Sequence, residues 1–165
     1  MADFWIEAAT FLLRWNHHLE QGGSTVRGSY RAYQDSFGIQ AHTLHGEWVA
    51  PVSASVRVIP SLRLYSQSAA YFYSEARYDP TLGEPYPVGY NRNATSFISL
   101  DHRLSAFGAV TLGLGMTWNI DPDWTVDGRF EAYEQRGQWA WDGNGSEGLA
   151  TFRARWFQIG LSRRF

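Results

Sequence analysis

The sequence predicts an all-β chain: an antiparallel, up-and-down β-barrel that crosses a membrane with its strands, or the C-terminal part of one. Three observations predict it. About seven segments alternate apolar and polar residues, at 4–18, 24–34, 39–50, 55–68, 106–119, 124–135 and 149–165. A period of two gives a strand two unlike faces, and about 9–11 residues suffice for a tilted strand to cross hydrocarbon. The composition is 16% aromatic and 18% charged with 16 Gly, against about 25% charged in an average soluble domain. The connections alternate short and long, as in barrels with short periplasmic turns and longer external loops.

Each segment carries the pattern in its own way. Residues 4–18 set Trp5, Ala9, Phe11, Leu13 and Trp15 against Thr10, Arg14 and Asn16. Residues 24–34 set Val26, Gly28, Tyr30 and Ala32 against Arg27, Ser29 and Arg31, and 39–50 set Leu44, Gly46 and Trp48 against Thr43, His45 and Glu47. In 55–68, Val56, Val58, Pro60, Leu62 and Leu64 oppose Arg57, Ser61, Arg63 and Gln67. The fifth segment has Val110, Leu112, Leu114, Met116 and Trp118 on one side and only Ala, Thr and Gly on the other. The sixth opposes Trp124, Val126, Gly128, Phe130 and Ala132 to Asp127, Arg129, Glu131 and Tyr133. The seventh alternates back from Phe165 through Arg163, Leu161, Ile159 and Phe157.

Alternation alone leaves these faces unoriented, because a soluble barrel buries its apolar face inward. The many charges on the polar faces, and Trp and Tyr towards strand ends, favour apolar-out. Short turns fall at 19–23, 51–54 and 120–123, with a tight link at 35–38. The long external loops are 69–103 and 137–148, so that residues 1–165 read as one outer-membrane barrel segment. A periplasmic Phe165 puts all three short turns on its own side.

Seven strands then start the chain outside the cell, whereas single-chain bacterial barrels have an even number of strands, eight at the least. The chain is therefore expected to be the C-terminal portion of a larger barrel, or one strand short by this count. Met1–Glu7 is acidic and lacks the apolar stretch of a secretory signal, as in a mature form or a fragment. No run approaches the roughly 18 apolar residues of a spanning helix. Cys is absent and the net charge is −2, which removes disulfides, Cys-based zinc and any electrostatic case for nucleic acid.

A last strand that ends on an aromatic resembles that of bacterial outer-membrane barrels, where it helps the barrel assembly machinery recognise the chain. Phe165 is the candidate assembly signal. The stretches R-W-N-H-H-L, G-S-Y-R-A-Y-Q-D-S-F-G-I-Q-A-H-T-L, V-I-P-S-L-R-L-Y-S-Q-S-A-A-Y-F-Y, D-H-R-L-S-A-F-G-A-V-T-L-G-L, Y-E-Q-R-G and the terminal S-R-R-F look like the outer-membrane barrel family catalogued as domain of unknown function 3570. The resemblance runs over nearly the whole chain and corresponds to the C-terminal half of full members. It implies a bacterial outer membrane location and no transferable catalytic residues.

The expected chemistry follows. If neighbouring strands pair in order, Arg27, Arg31, Arg57 and Arg63 gather with His45 and Glu47 into a charge cluster in the lumen. That cluster either favours anions in an open pore or, as the favoured reading, braces the wall by pairing with carboxylates from the missing strands. His42 and His45 are three apart and point to opposite faces of a strand, so no metal site is expected. Asp127 and Glu131 are roughly 13 Å apart along one face, beyond a glycosidase pair. Asp101, His102 and Ser105 are adjacent in sequence, which is not triad geometry. Tyr71, Tyr73, Tyr78, Tyr86 and Tyr90, with Pro80, Pro85 and Pro87, form a possible external contact surface. The expected function is a structural or transport-type outer-membrane barrel, not an enzyme and without cofactor. The alternative is a surface anchoring module whose external loops hold a partner. The expected partners are outer-membrane lipid, the assembly machinery, and missing N-terminal strands, another copy or another chain to close the barrel.

Overall fold

The computed structural model describes residues 6–75, 81 and 98–165. Seven strands form one sheet in the order of the chain: β1 (Ala8–Leu19), β2 (Ser24–Asp35), β3 (Gln40–Pro51), β4 (Val56–Gln67), β5 (Phe107–Asn119), β6 (Trp124–Arg136) and β7 (Phe152–Arg163). Every neighbouring pair is antiparallel. The described segments match the expected seven, except that β1 begins at Ala8 and β7 at Phe152. The sheet is not closed: β1 pairs only with β2, and β7 only with β6.

The turns explain why each strand stops. Gly22 and Gly23 sit at φ +90° and +62° between β1 and β2, a region that costs a residue with a Cβ dearly. In the next turn the Asp35 carboxylate accepts from Phe37 N–H at 2.9 Å and Ile39 N–H at 3.1 Å. Ser53 Oγ accepts from Val56 N–H at 3.1 Å, and Asp121 Oδ1 from Trp124 N–H at 2.8 Å. These are side chains taking over backbone donors that a ladder cannot use.

Register decides the faces. The pairs Leu13↔Tyr30, Tyr30↔Leu44, Leu44↔Leu64, Leu64↔Val110, and then Leu62↔Leu112, Leu114↔Phe130 and Phe130↔Phe157 carry one apolar face across all seven strands. The opposite face collects Arg14, Arg27, Arg31, Arg57, Arg63 and Arg129 with Asp35, Glu47, Asp127 and Glu131. Along β3 and β5 the apolar positions are exposed and the polar or small ones more enclosed. The sheet therefore wraps round its charged face.

Among the described residues no apolar core fills the middle of the sheet. The buried apolar residues are Ile39, Ala41, Ala70, Ala106, Phe107, Ala109 and Ala140, and all lie towards the end where the 36–39, 68–106 and 137–151 connections meet. Those connections knit together there. Tyr71 N–H donates to the Phe37 carbonyl at 3.0 Å, Ser146 N–H to Ala106 at 3.0 Å, and Glu147 N–H to Glu75 Oε1 at 2.9 Å. The 3-10 turn Gly137–Trp139 presses its backbone on Gly108, where a Cβ would lie 1.9 Å from the Trp139 oxygen. From there the chain crosses the apolar face to Ser66, whose Oγ accepts from Trp141 N–H at 2.9 Å.

Candidate functional site

The charged face begins with the alternation of β2, β3 and β4, which turns their basic residues to one side. Arg27 stands opposite Glu47, and Arg27 Nη1 reaches Glu47 Oε1 at 2.9 Å, with Glu47 the more enclosed partner. His45 lies opposite Ser29 on β2 and Arg63 on β4. Arg31 occupies the next rung, opposite Thr43. Arg57 is drawn apart: it opposes Pro51 and Thr117 near the short turns, six residues from Arg63 and so roughly 20 Å along the strand. The expected cluster is thus one ion pair, one His–Arg rung and two more distant arginines.

The same face continues onto β5 and β6, where the counter-charges lie. Glu131 is buried in the row Arg27↔Glu47↔Ser61↔Gly113↔Glu131. Gly113 makes the room, since a Cβ there would lie 2.3 Å from Ser61 Oγ and 3.4 Å from Glu131 Cγ. Arg129 Nε is 2.6 Å from Glu131 Oε1, yet it is not aligned for a hydrogen bond. That contact is best described as charge attraction. Thr117 Oγ1 donates to Asp127 at 2.7 Å. A cavity of about 430 Å³ is shared by Arg27, Glu47, Asp127, Arg129 and Gln158, so curvature brings β2–β3 and β6–β7 round one space. Carboxylates from within this sheet therefore answer the arginines. The sequence already sets Asp127, Arg129 and Glu131 on the polar face through their shared period of two, but the expected cluster, drawn from strands two to four, leaves them out.

One end of the space is partly covered. Gln67, buried on the charged face, donates from Nε2 to the carbonyls of Arg103 at 2.9 Å and Ser105 at 2.7 Å. Asp101 caps the 3-10 turn His102–Leu104, accepting from Arg103 N–H at 3.0 Å. The Arg103 guanidinium, Nη2 2.6 Å away, holds the Asp101 carboxyl well below its usual range, at about 2. Ser105 is fully buried and donates its hydroxyl to the His102 carbonyl at 2.6 Å. The Asp, His and Ser here build a turn; they form no nucleophile and base.

His42 lies on the apolar face, its Nδ1 2.7 Å from Tyr30 Oη and its ring stacked against Trp141. Among the described residues no three His, Asp or Glu side chains are placed to hold a metal ion. Of the aromatic external set, Tyr71 is exposed and packs edge-on against Phe72. Tyr73 is half-buried and bridges to Ser99, and burial pushes its phenol pKa up. Tyr78, Tyr86 and Tyr90, like Pro80, Pro85 and Pro87, lie outside the described residues. Phe165 is fully exposed, with Arg163 Cζ 5.1 Å from its ring centre, at the end of the sheet that carries the short turns.

Among protein families, one model matches, over residues 7–155, described as Protein of unknown function (DUF3570). No curated protein matches, and no solved structure does.

Proposed function

The chain belongs to that family, DUF3570, and for this member we propose the role of an outer-membrane β-barrel wall, structural or transport in type and without enzymatic activity. One observation carries the reading. One face of the sheet is apolar and stays exposed along β1, β3, β5 and β7, while most charges gather on the other, an arrangement unlike a sheet that buries its apolar side from water. Leu112, Leu114, Phe157, Ile159 and Leu161 are each more than half exposed, whereas Glu131 is buried. Soluble monomers rarely expose continuous apolar patches beyond a few hundred Å², while barrel strands in lipid alternate apolar-out and polar-in.

The ends of that face support it further. Trp48, Trp118 and Trp124 lie towards the short turns on the apolar side, and Trp139 and Trp141 on the other rim. Interfacial aromatics at both borders are what a lipid layer selects. Bracing suits the inner face better than an open anion pore, because Glu47 and Glu131 already answer Arg27 and Arg129. The knitted external connections, with Tyr71 standing out, favour surface anchoring as the second reading.

The chain has no cysteine, which makes the test direct. Single cysteines at residues 109–118 of β5 are placed in lipid vesicles and labelled with a fluorophore that shifts to the blue in hydrocarbon. Blue shifts at 110, 112, 114, 116 and 118 alone are the expected outcome. Equal emission at odd and even positions would overturn the proposal.

A further inference from the structure

A second charged group sits on the wrong face. Counted back from Leu161, the apolar side of β7 runs Ile159, Phe157, then Arg155 and Arg153. Arg153 is opposite Glu134, with Nε 3.0 Å from Oε2. Glu134 is not free to serve it alone, because the same carboxylate also pairs with Arg136, whose Cζ lies 4.7 Å from the Trp139 ring centre. Arg155 stands one rung deeper, opposite Ala132 and in the apolar row Leu62↔Leu112↔Ala132↔Arg155. It is exposed, and no carboxylate contacts it among the described residues.

Glu134, Arg153 and Arg155 border a recess of about 650 Å³. Its floor is Val110, Leu112 and Ala132, Trp139 stands over it, and Arg153 and Arg155 lie along its β7 side. On the rim Arg153 and Arg155 meet the single carboxylate of Glu134, which Arg136 also engages, so the rim above the apolar floor is net positive. A guanidinium facing hydrocarbon without an anion is costly, and Arg suits phosphate through paired, parallel N–H donors.

We propose that this recess binds an anionic phospholipid in preference to a zwitterionic one, Arg153 and Arg155 holding the phosphate and an acyl chain lying on Leu112 and Val110. The inference rests on the membrane reading above. A lipid, not a free anion, is the occupant because the floor is apolar and continuous with the exposed face of β5. A bare phosphate would leave that floor uncovered.

The test uses the full chain in phosphatidylcholine vesicles doped with acyl-brominated phosphatidic acid or, separately, acyl-brominated phosphatidylcholine. Bromine quenches tryptophan on contact, and Trp139→Phe identifies the local component. Stronger quenching by phosphatidic acid is expected. It should disappear in Arg153→Gln/Arg155→Gln, survive in part in Arg155→Lys, and remain whole in Arg14→Gln on the opposite face. Equal quenching by both lipids would overturn the site while leaving the membrane reading intact. Abolition of the preference by inorganic phosphate would show a free-anion site and overturn the lipid assignment. No quenching by either lipid would sink both readings.

Discussion

Leu62 shows how much one position can reveal. It is exposed, with Gly46 opposite on β3 and Leu112 opposite on β5, so its side chain has few protein neighbours to lose. In water, Leu62→Arg would then be close to neutral, as most surface changes are. In lipid the same change near mid-membrane should cost about 2–4 kcal/mol. Urea unfolding from vesicles, with Ser61→Asn on the other face as the comparison, measures the difference. An unchanged midpoint for Leu62→Arg would remove the lipid. The face of Leu62 was legible because Val56, Val58, Leu62 and Leu64 hold one parity. Arg153 and Arg155 were not read, although they hold the same parity as Phe157. The count back from Phe165 ended at Phe157, two positions short of Arg153 on the same face.

Elements were legible through period and turn chemistry, whereas the connections were not. Nothing in a run rich in Gly, Asn and Asp says that residues 137–148 fold back over the apolar face. The signal was on β5 and β4, where Gly108 and Ser66 leave space among larger neighbours. A Cβ at Gly108 would overlap the Trp139 backbone, and backbone cannot turn aside as a long side chain can. Gly108→Ala should therefore unseat this connection at about 1–3 kcal/mol, in the range of overpacked sites. Faster proteolysis within 137–148, with strand content by circular dichroism unchanged, would report it. Unaltered proteolysis would mean that the connection is held elsewhere.

The other connection carries a pH dependence. Asp101 is held at about 2, below the usual 3.8, first by the side-chain bond from Arg103 and next by the Arg103 backbone N–H. A carboxyl lowered by folding contributes fully above its unfolded value and loses that contribution as pH falls through the folded one. The cap should therefore stand unchanged above about pH 4 and fail between 4 and 2. The carboxyl carbon shift of Asp101 follows it, and Arg103→Gln should raise the midpoint. An ordinary midpoint in the unsubstituted chain would contradict the pairing.

Across the whole molecule, what the alternating period could not supply was closure. The period says which way a side chain points, while closure depends on what the two outer strands pair with. Here β1 and β7 each offer a row of unpaired backbone groups, and, as the first and last strands of a seven-strand antiparallel meander, they run in the same direction. Hydrocarbon cannot satisfy such groups. Direct pairing of β1 with β7 would also place one parallel junction in an otherwise antiparallel sheet, with a slightly weaker ladder. Each edge is instead expected to meet other strands: more of the same polypeptide, a second copy or another chain. A disulfide distinguishes these cases because its Cα atoms must approach within about 7 Å. The pair Thr125→Cys/Ser162→Cys joins partners already in register on β6 and β7, and it should oxidise within one chain. The pair Arg14→Cys/Gln158→Cys spans the two edges and should give no disulfide within a monomer. Dimers linked through the edge pair would identify a second copy as the closing partner. Oxidation of the edge pair inside one chain, as fast as the control, would show that the sheet closes on itself and would overturn the expectation.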